Sequence, residues 1–269
     1  MSTGNVPPIA SVKTHPTARL HPSTRSGRGP HALVLEPHEG GLSERLGALF
    51  GGDHPVVLFF VVMLGGLVVI AALSIGLGLL VTHVLETGAI GAADERVNVW
   101  LAAHRTPTRT EASLIGSIVA GGVVLPIIAG VLGLLAAVFR QWRLLAFFVF
   151  SLAVESATYR ATTLFVHSHR PRVHRLEDLS VDASYPSGHT AAAIAVYGGL
   201  ALLITSRFRH GAVRVVTWLL AAGIVAFVAT ARMYRGMHHP FDLFGGVVVG
   251  IAALCVLVLA CRSAGAAAE

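Results

Sequence analysis

Two separate stretches of the sequence hold residues that could bind an anion and attack it. The first stretch contains Arg170 and the tetrapeptide 186–189, and the second contains Arg232, His238 and Asp242. A guanidinium group presents a planar set of N–H donors that matches the oxygens of a phosphate. Arginines placed beside histidines in this way indicate a site for phosphoryl transfer that needs no metal ion.

The spacing of these residues suggests a role for each. His238 and Asp242 are four residues apart, about one helical turn, so the carboxylate can hold one ring nitrogen and leave the other unprotonated as a nucleophile. Ser187 and Gly188 fall where a helix begins, and the unpaired backbone N–H groups there favour an anion. His189 is then available to protonate the leaving oxygen.

Three further histidines precede His189 in the first stretch, at positions 167, 169 and 174. Their spacing is not a strong metal-ligand pattern, and no cysteine accompanies them. We therefore predict that the site holds neither a metal ion nor another cofactor.

The composition predicts that these residues lie in a membrane protein. Of 269 residues, 54% are hydrophobic and 13% are charged, about half the charged fraction of ordinary soluble domains. The net charge of +6 comes almost entirely from arginines that flank apolar stretches, which argues against a nucleic-acid partner. Six stretches are long enough to cross a bilayer, which takes about 17 to 25 residues each. They predict an all-α integral membrane protein, a bundle of six transmembrane helices at residues 56–81, 112–139, 144–166, 188–206, 215–231 and 243–261.

The distribution of arginine predicts how the bundle lies in the membrane. Arginine is concentrated between spans two and three, between spans four and five, and in the N-terminal tail. Such segments stay in the cytoplasm, so both chain ends are predicted to be cytoplasmic and both site stretches extracytoplasmic. Outside the membrane domain of residues 55–262, we expect a disordered cytoplasmic tail at 1–54 and a short C-terminal tail at 263–269.

A third connection at the predicted outer face has helical periodicity. Val97, Trp100, Leu101 and His104 recur at intervals of three and four residues. This pattern is typical of an amphipathic helix, which could lie in the membrane interface or pack over the mouth of the bundle. The sequence favours neither position.

The chain resembles the type-2 phosphatidic acid phosphatase family, the membrane branch of a superfamily that includes the vanadium haloperoxidases. The family signature has three parts: lysine, six residues and Arg-Pro; Pro-Ser-Gly-His; and Ser-Arg, five residues, His, three residues and Asp. Residues 186–189 match the second part in full, and Arg232, His238 and Asp242 match the third with the correct spacing. Arg170 and the proline after it match the end of the first part.

The resemblance covers roughly residues 112–261, and it implies both an activity and a set of roles. The implied activity is metal-independent hydrolysis of a terminal phosphate from a phospholipid or a polyprenyl (di)phosphate, through a phosphohistidine intermediate. The implied nucleophile is His238, oriented by Asp242, with His189 as the general acid. The implied phosphate ligands are Arg170, Arg232, Ser187 and Gly188. The partners would be the bilayer and a lipid phosphate substrate.

The sequence departs from the family pattern at two positions. Thr163 stands where the first part has its lysine, and Ala231 stands where the third part has its serine. Arg160 lies one turn before Thr163, and we expect it to supply the missing charge, because an arginine within an apolar span is costly and often functional. The alternative is that Arg160 forms an ion pair with Glu155.

Other functions could use the same residues. A lipid phosphotransferase would pass the phosphate to another lipid or a sugar in place of water. A transporter or proton-coupled channel built around Glu155 and Arg160 would be expected to repeat polar residues through its spans, yet spans one, two and six contain no charged residue. A non-catalytic lipid-phosphate-binding protein is favoured only by the missing lysine. A soluble haloperoxidase does not fit six apolar spans.

Overall fold

The computed structural model describes residues 33–38, 40–50, 54–178, 180, 182–208 and 210–268. Within these residues, six helices are long and apolar enough to cross a membrane. Their boundaries differ from the predicted ones by at most five residues, and the predicted class of an all-α, six-helix membrane bundle is confirmed. The six spans are Pro55–Leu85, Pro107–Val138, Trp142–Phe165, Gly188–Arg207, Gly211–Tyr234 and Pro240–Ala266.

The spans are built from α-helices that begin at recognisable signals. Pro55, Pro107 and Pro240 each occupy the start of a long helix, where the missing N–H of proline would be unpaired in any case. The fourth span contains a π-helical turn at Ile194–Gly198, and the first ends in one at Val81–Leu85. The α-helices are α1 Leu42–Leu49, α2 Pro55–Leu80, α3 Ala89–Ala103, α4 Pro107–Val119, α5 Val124–Val138, α6 Trp142–Phe165, α7 Gly188–Ala193, α8 Gly199–Arg207, α9 Gly211–Tyr234 and α10 Pro240–Ala266.

The largest core cluster joins α2, α6 and α10. Met63, Phe147 and Leu257 from these three helices are buried in it. Large apolar side chains also face outward: Val68 and Leu219 are 68% and 66% exposed. A bundle that is apolar both inside and outside matches a lipid environment, in which the outer surface contacts acyl chains rather than water.

The second span is broken, although the sequence predicted one continuous helix. Helix α4 ends at Val119 and α5 begins at Val124. The Gly121–Gly122 pair favours this interruption because glycine is a weak helix former, and the hydroxyl of Tyr197 donates to the freed carbonyl of Val119 at 2.8 Å. The break lies beside the candidate site described below.

Parts of both predicted tails are helical. Residues 33–50 include a short 3-10 helix, Leu33–Leu35, as well as α1, so the prediction of disorder up to residue 54 is wrong for this part. Leu35 is buried in the core, and Arg262 donates from Nε to the carbonyl of Val34 at 2.8 Å. Helix α10 continues to Ala266 because its last turn is packed against the bundle. The predicted disorder of residues 1–32 lies outside the described residues.

Candidate active site

The two stretches singled out in the sequence meet at one end of the bundle, around a cavity of about 500 Å³. Five of the predicted site residues in these two stretches line the cavity: Arg170, Gly188, His189, Arg232 and His238. They come from the connection before α7, the start of α7, the end of α9 and the connection before α10. Residues more than sixty positions apart in the sequence are thus brought around one space.

Arg170 holds the two stretches together. Its guanidinium donates to the carbonyl oxygens of Ser180 at 2.7 Å and Ala183 at 3.0 Å, and also to the carbonyl of Met237 in the other stretch. These three bonds leave two of the five N–H groups of the side chain for a ligand. Arg170 therefore positions the loop next to His238 as well as lining the cavity.

The ring of His238 is hydrogen-bonded to a backbone carbonyl and lies somewhat farther from the predicted carboxylate. Its Nδ1 lies 2.8 Å from the carbonyl oxygen of Ser184 and 3.8 Å from Oδ2 of Asp242. Since a carbonyl only accepts, Nδ1 carries the proton and Nε2 is left unprotonated. Asp242 lies within ion-pair distance of the same nitrogen, so its part in orienting the ring stays a prediction, and the carbonyl of Ser184 secures the expected tautomer.

Ser184 is the functional residue that sequence reasoning missed. Its hydroxyl donates to Oδ2 of Asp242 at 2.6 Å, and the same oxygen accepts from the backbone N–H of His239 at 2.8 Å. Asp242 thus holds the side chain of Ser184, whose carbonyl faces the His238 ring, and the backbone of the residue that follows His238. The only sequence signal for this role is the position of Ser184 just before the Tyr185–His189 segment.

His238 is neutral near physiological pH. Burial lowers its pKa to about 4, and the opposing effect of Asp242 does not overcome it. A neutral imidazole with a free Nε2 at the cavity wall has the form that a nucleophile requires.

Arg232 is fully buried and only partly paired. Its Nη1 donates to Ser117 Oγ at 2.9 Å and to Glu177 Oε2 at 2.7 Å. Its Nε and Nη2 have no hydrogen-bond partner among the described residues, and the side chain lines the cavity. Buried donors without partners carry a large free-energy penalty. The open edge of this guanidinium is therefore suited to an anion with two adjacent oxygens.

Glu177 pairs with the last turn of α9, a contact that the sequence did not predict. Its carboxylate also accepts from Nε of Arg235, which in turn donates to Ser113 Oγ on α4. Burial alone would raise the pKa of Glu177, but the charge of Arg232 and the arginine hydrogen bonds outweigh it and lower the pKa to about 2. The connection after α6 is thus tied to α9 by a carboxylate shared between two arginines.

The three predicted residues at the start of α7 differ in whether they line the cavity. Gly188 and His189 line the cavity. The hydroxyl of Ser187 instead contacts Thr190 Oγ1 at 3.0 Å and caps the helix, so this side chain is not among the cavity-lining groups. The backbone N–H of Ser187 donates to the carbonyl oxygen of Asp242 at 2.9 Å, so the contact of Ser187 with phosphate stays a prediction.

Helix α6 contributes the residue that was expected to replace the family lysine. Arg160 lines the cavity, and its guanidinium forms no hydrogen bond or ion pair with any described residue. The hydroxyl of Thr163 donates to the carbonyl of Arg160 and lies outside the cavity wall. Glu155 also lines the cavity and is buried, and it accepts from Ser156 Oγ at 3.2 Å rather than binding Arg160. The alternative Arg160–Glu155 pair is therefore not formed.

Ala231 lies away from this cavity. A Cβ on Gly116 of α4 would come within 2.6 Å of the Ala231 Cβ, so α4 and α9 approach closely here. The serine of the family pattern would meet α4 at this position, and the substitution changes helix packing rather than the cavity wall.

Helix α3 covers the site with its polar face. One oxygen of Glu95 accepts from the backbone N–H of Arg172 and the other contacts Nε2 of His239, both at 2.9 Å. The buried Asn98 amide donates to the carbonyls of His238 and Met233. The apolar face of α3 remains exposed, and the side chain of Trp100 on this face is 59% exposed. The helix therefore packs over the mouth of the bundle, one of the two expected alternatives, and presents apolar groups outward.

The fold and the site together define a polytopic helical membrane protein with a cationic, histidine-containing cavity at one end of its bundle. Residues 144–264 match the model of the PAP2 superfamily. This match confirms the resemblance drawn from the three motifs, and it covers the segment that carries all of them.

Part of the chain is also similar to curated proteins. An undecaprenyl-diphosphatase of Sulfolobus acidocaldarius is 36% identical over 77 residues, which are 28% of this chain and 32% of that protein. Undecaprenyl-diphosphatase BcrC of Bacillus subtilis is 36% identical over 80 residues, 29% of this chain and 36% of that protein. The chain thus spans about a third of the length of these curated relatives.

A solved structure shares the fold. It is the first transmembrane PAP2-type phosphatidylglycerolphosphate phosphatase from Bacillus subtilis, with a TM-score of 0.59 and 21% sequence identity. The match covers 76% of this chain and 93% of that one, so it extends beyond the motifs to most of the bundle.

Proposed function

We propose that this protein hydrolyses the terminal phosphate of a membrane lipid, a phospholipid or polyprenyl (di)phosphate, without a metal ion. The observation that carries the proposal is the buried, half-paired guanidinium of Arg232, which shares one cavity with the neutral ring of His238 and with His189. A phosphate group satisfies the open donors of the arginine and comes to lie beside an unprotonated imidazole nitrogen.

The proposed reaction has two steps. Nε2 of His238 attacks phosphorus in line, so that a P–N bond forms while the P–O bond to the leaving group breaks, and His189 gives the leaving oxygen its proton. Water, deprotonated by the same His189, then attacks phosphorus, breaks the P–N bond and releases phosphate. Arg232, the free N–H groups of Arg170 and the backbone at Gly188 stabilise the equatorial oxygens in both steps.

Among lipid phosphates, a polyprenyl diphosphate is the first candidate substrate. Two similar proteins carry the name undecaprenyl-diphosphatase, and the cavity belongs to a membrane-embedded bundle. Phosphatidic acid and phosphatidylglycerophosphate remain the other candidates, because the polar wall recognises only the phosphate. The arginine-rich connections support a cytoplasmic location for both chain ends and an extracytoplasmic site.

The test is phosphate release by the purified protein from undecaprenyl diphosphate, phosphatidic acid and phosphatidylglycerophosphate in mixed micelles, with and without a chelator. We expect release that chelation leaves unchanged, that vanadate inhibits and that His238→Ala abolishes. His169→Ala is the matched control, because His169 is an exposed histidine that pairs with Asp182 at 2.9 Å. Near-normal turnover by His238→Ala would refute the assignment, and phosphate that appears only on an added lipid or sugar acceptor would indicate a phosphotransferase.

A further inference from the structure

One face of α3 is polar and buried, and the opposite face is apolar and exposed. Asp94 and Asn98 are four residues apart and therefore on the same face, and they are 6% and 1% exposed. Glu95 lies beside them on that face, whereas Val99 and Trp100 are exposed. A helix on the surface of a soluble domain usually has the reverse arrangement. Because buried polar groups are normally hydrogen-bonded, this face of α3 needs polar partners inside the protein.

The partners lie in residues 238–241, which span the end of the α9–α10 connection and the start of α10. Glu95 contacts Nε2 of His239 at 2.9 Å, and the backbone N–H of Phe241 donates to the carboxyl group of Asp94. Both contacts involve residues that closely follow the proposed nucleophile. Helix α3 is therefore attached to the segment that carries this nucleophile, although the two are far apart in the sequence.

Asn98 contacts the nucleophilic residue itself. Its side-chain amide donates to the backbone carbonyl of His238 at 3.1 Å and to that of Met233 at 3.2 Å. The amide nitrogen has two N–H donors, so one side chain can make both bonds. Met233 follows Arg232 in the last turn of α9. Asn98 thus bridges the helix end that holds the proposed phosphate-binding arginine and the backbone of the nucleophile.

The position of this backbone matters for the proposed reaction. Before attack, Nε2 of His238 has to lie about 3–3.5 Å from phosphorus and in line with the leaving oxygen. The carbonyl of Ser184 hydrogen-bonds to the ring at 2.8 Å, which fixes the rotation of the ring. The distance from the ring to the arginines depends in addition on where the backbone of His238 is held.

We propose that Asn98 is a positioning residue for the nucleophile and acts through the backbone carbonyl of His238. The proposal rests on the proposed function, because it concerns the attack on phosphorus in that same reaction. Asn98 lies outside the three motifs and outside residues 144–264, which match the family model. Without its amide, the arginines still hold the phosphate, but Nε2 no longer meets phosphorus at the reacting distance.

The first test compares the kcat of Asn98→Ala and Asn98→Asp with that of the wild type, below the unfolding temperature of each variant. Aspartate has nearly the shape of asparagine, but its carboxylate only accepts hydrogen bonds and would face two carbonyl oxygens. For Asn98→Ala we expect kcat to be about tenfold to a hundredfold lower, the cost of a misplaced reacting group, with KM within about threefold of the wild type. Asn98→Asp should lose at least as much activity. Val99→Ala is the matched control, because Val99 is the next residue and is 50% exposed, and it should match the wild type.

Equilibrium binding gives a second readout, which does not need turnover. Vanadate can accept a fifth ligand, so its affinity includes a bond to Nε2 of His238, whereas tetrahedral phosphate is held by the arginines. In calorimetry, vanadate affinity should be lower in Asn98→Ala by about the same factor as kcat/KM, as for any transition-state analogue, and phosphate affinity should change less than about twofold. A loss of stability alone would not separate the two ligands.

Two results would overturn the positioning role. One is an unchanged kcat in Asn98→Ala, and the other is an equal loss of affinity for vanadate and phosphate, which would mean that Asn98 supports the cavity as a whole. A wild-type protein that hydrolyses none of the lipid phosphates, but whose vanadate affinity still depends on Asn98, would refute the proposed function and keep the positioning role.

Discussion

At the residue scale, the site depends on how each arginine is paired. Arg232 and Arg235 lie one turn apart and share the carboxylate of Glu177, yet their surroundings differ. Arg235 donates to Glu177, Ser113 and the carbonyl of Leu176, whereas Arg232 keeps an unpaired edge at the cavity. One arginine therefore anchors a loop, and the other is available for the substrate.

The comparison of Arg232→Lys with Arg235→Lys tests this difference. Lysine keeps the charge that Glu177 needs but lacks the planar pair of donors. We expect Arg232→Lys to lower kcat by about a hundredfold or more, the usual loss when a donor to the transition state is removed. Arg235→Lys should lower the thermal stability and keep kcat within a few-fold. The reverse pattern in steady-state kinetics would show that Arg235 is the substrate-binding residue.

Arg160 is predicted to supply the positive charge of the family lysine, although it lies one helical turn before the position of that lysine. Its side chain lines the cavity, whereas Thr163 is turned toward the helix backbone. Loss of a charged hydrogen bond to the phosphate should make kcat/KM for Arg160→Ala about tenfold to a hundredfold lower. Thr163→Ala should have little effect, and Thr163→Lys added to Arg160→Ala should restore part of the loss. If the Arg160→Ala enzyme is as active as the wild type, this arginine has no role at the phosphate.

At the element scale, α10 approaches α7 so closely that glycine is required between them. A Cβ on Gly246 would lie 2.5 Å from the carbonyl oxygen of Ser187 and 3.1 Å from the Cβ of Thr190. The start of α7, with Gly188 and His189, therefore rests directly on the backbone of α10.

Gly246→Ala is expected to destabilise the protein by about 1–3 kcal/mol, the usual cost of overpacking. It should also lower activity, because the helix start has to move. Gly223→Ala is the matched control on α9, where an added Cβ meets nothing within 4 Å. Thermal unfolding in detergent should give a lower Tm for the first variant alone. Equal Tm values would mean that the α7–α10 contact adapts without strain.

The attachment of α3 to the site is predicted to depend on pH. Burial acts to lower the pKa of His239, but hydrogen bonds and charges from Asp242 and Glu95 outweigh it and raise the pKa to about 9. A raised pKa means that the folded state prefers the protonated ring. The stabilisation is thus complete below the ordinary value of about 6.5 and is lost as the pH rises through about 9. Asp94, whose pKa is raised to about 6 mainly by burial, titrates below this window.

Hydrogen exchange of the α3 amides measures this effect. Protection in the wild type should fall between about pH 6.5 and 9, after correction for the intrinsic exchange rate. Glu95→Gln should show weaker protection and a smaller change across the same window, since the neutral amide no longer favours the protonated ring. Protection that is independent of pH in the wild type would contradict the role of the Glu95–His239 pair.

The sequence predicted some of these elements and not others, for physical reasons. The six spans follow from long apolar runs, which are local properties of the chain. The interruption at residues 120–123 does not change the hydropathy, so only the glycine pair signalled it. The Glu177–Arg232 pair and the Ser184–His238 contact join residues more than fifty positions apart. The motif spacing predicted which residues could act together. It did not predict which carbonyl or carboxylate would orient their side chains.

At the scale of the whole molecule, the protein combines a cationic cavity with an apolar exterior. Arginines and histidines converge at one end of the bundle, and residues of the broken second span line the same cavity. The arrangement suits a substrate whose phosphate is processed while its hydrocarbon chain stays in the membrane.

The central claim is that His238 becomes covalently phosphorylated during turnover. The most direct measurement is a rapid-quench reaction with undecaprenyl diphosphate labelled in its terminal phosphate, followed by alkaline digestion and mass spectrometry to locate the label. We expect label on His238 that appears and decays within a single turnover, and none in His238→Gln. Turnover at the normal rate with no label on His238, or with the label on His189 or His239, would contradict the account.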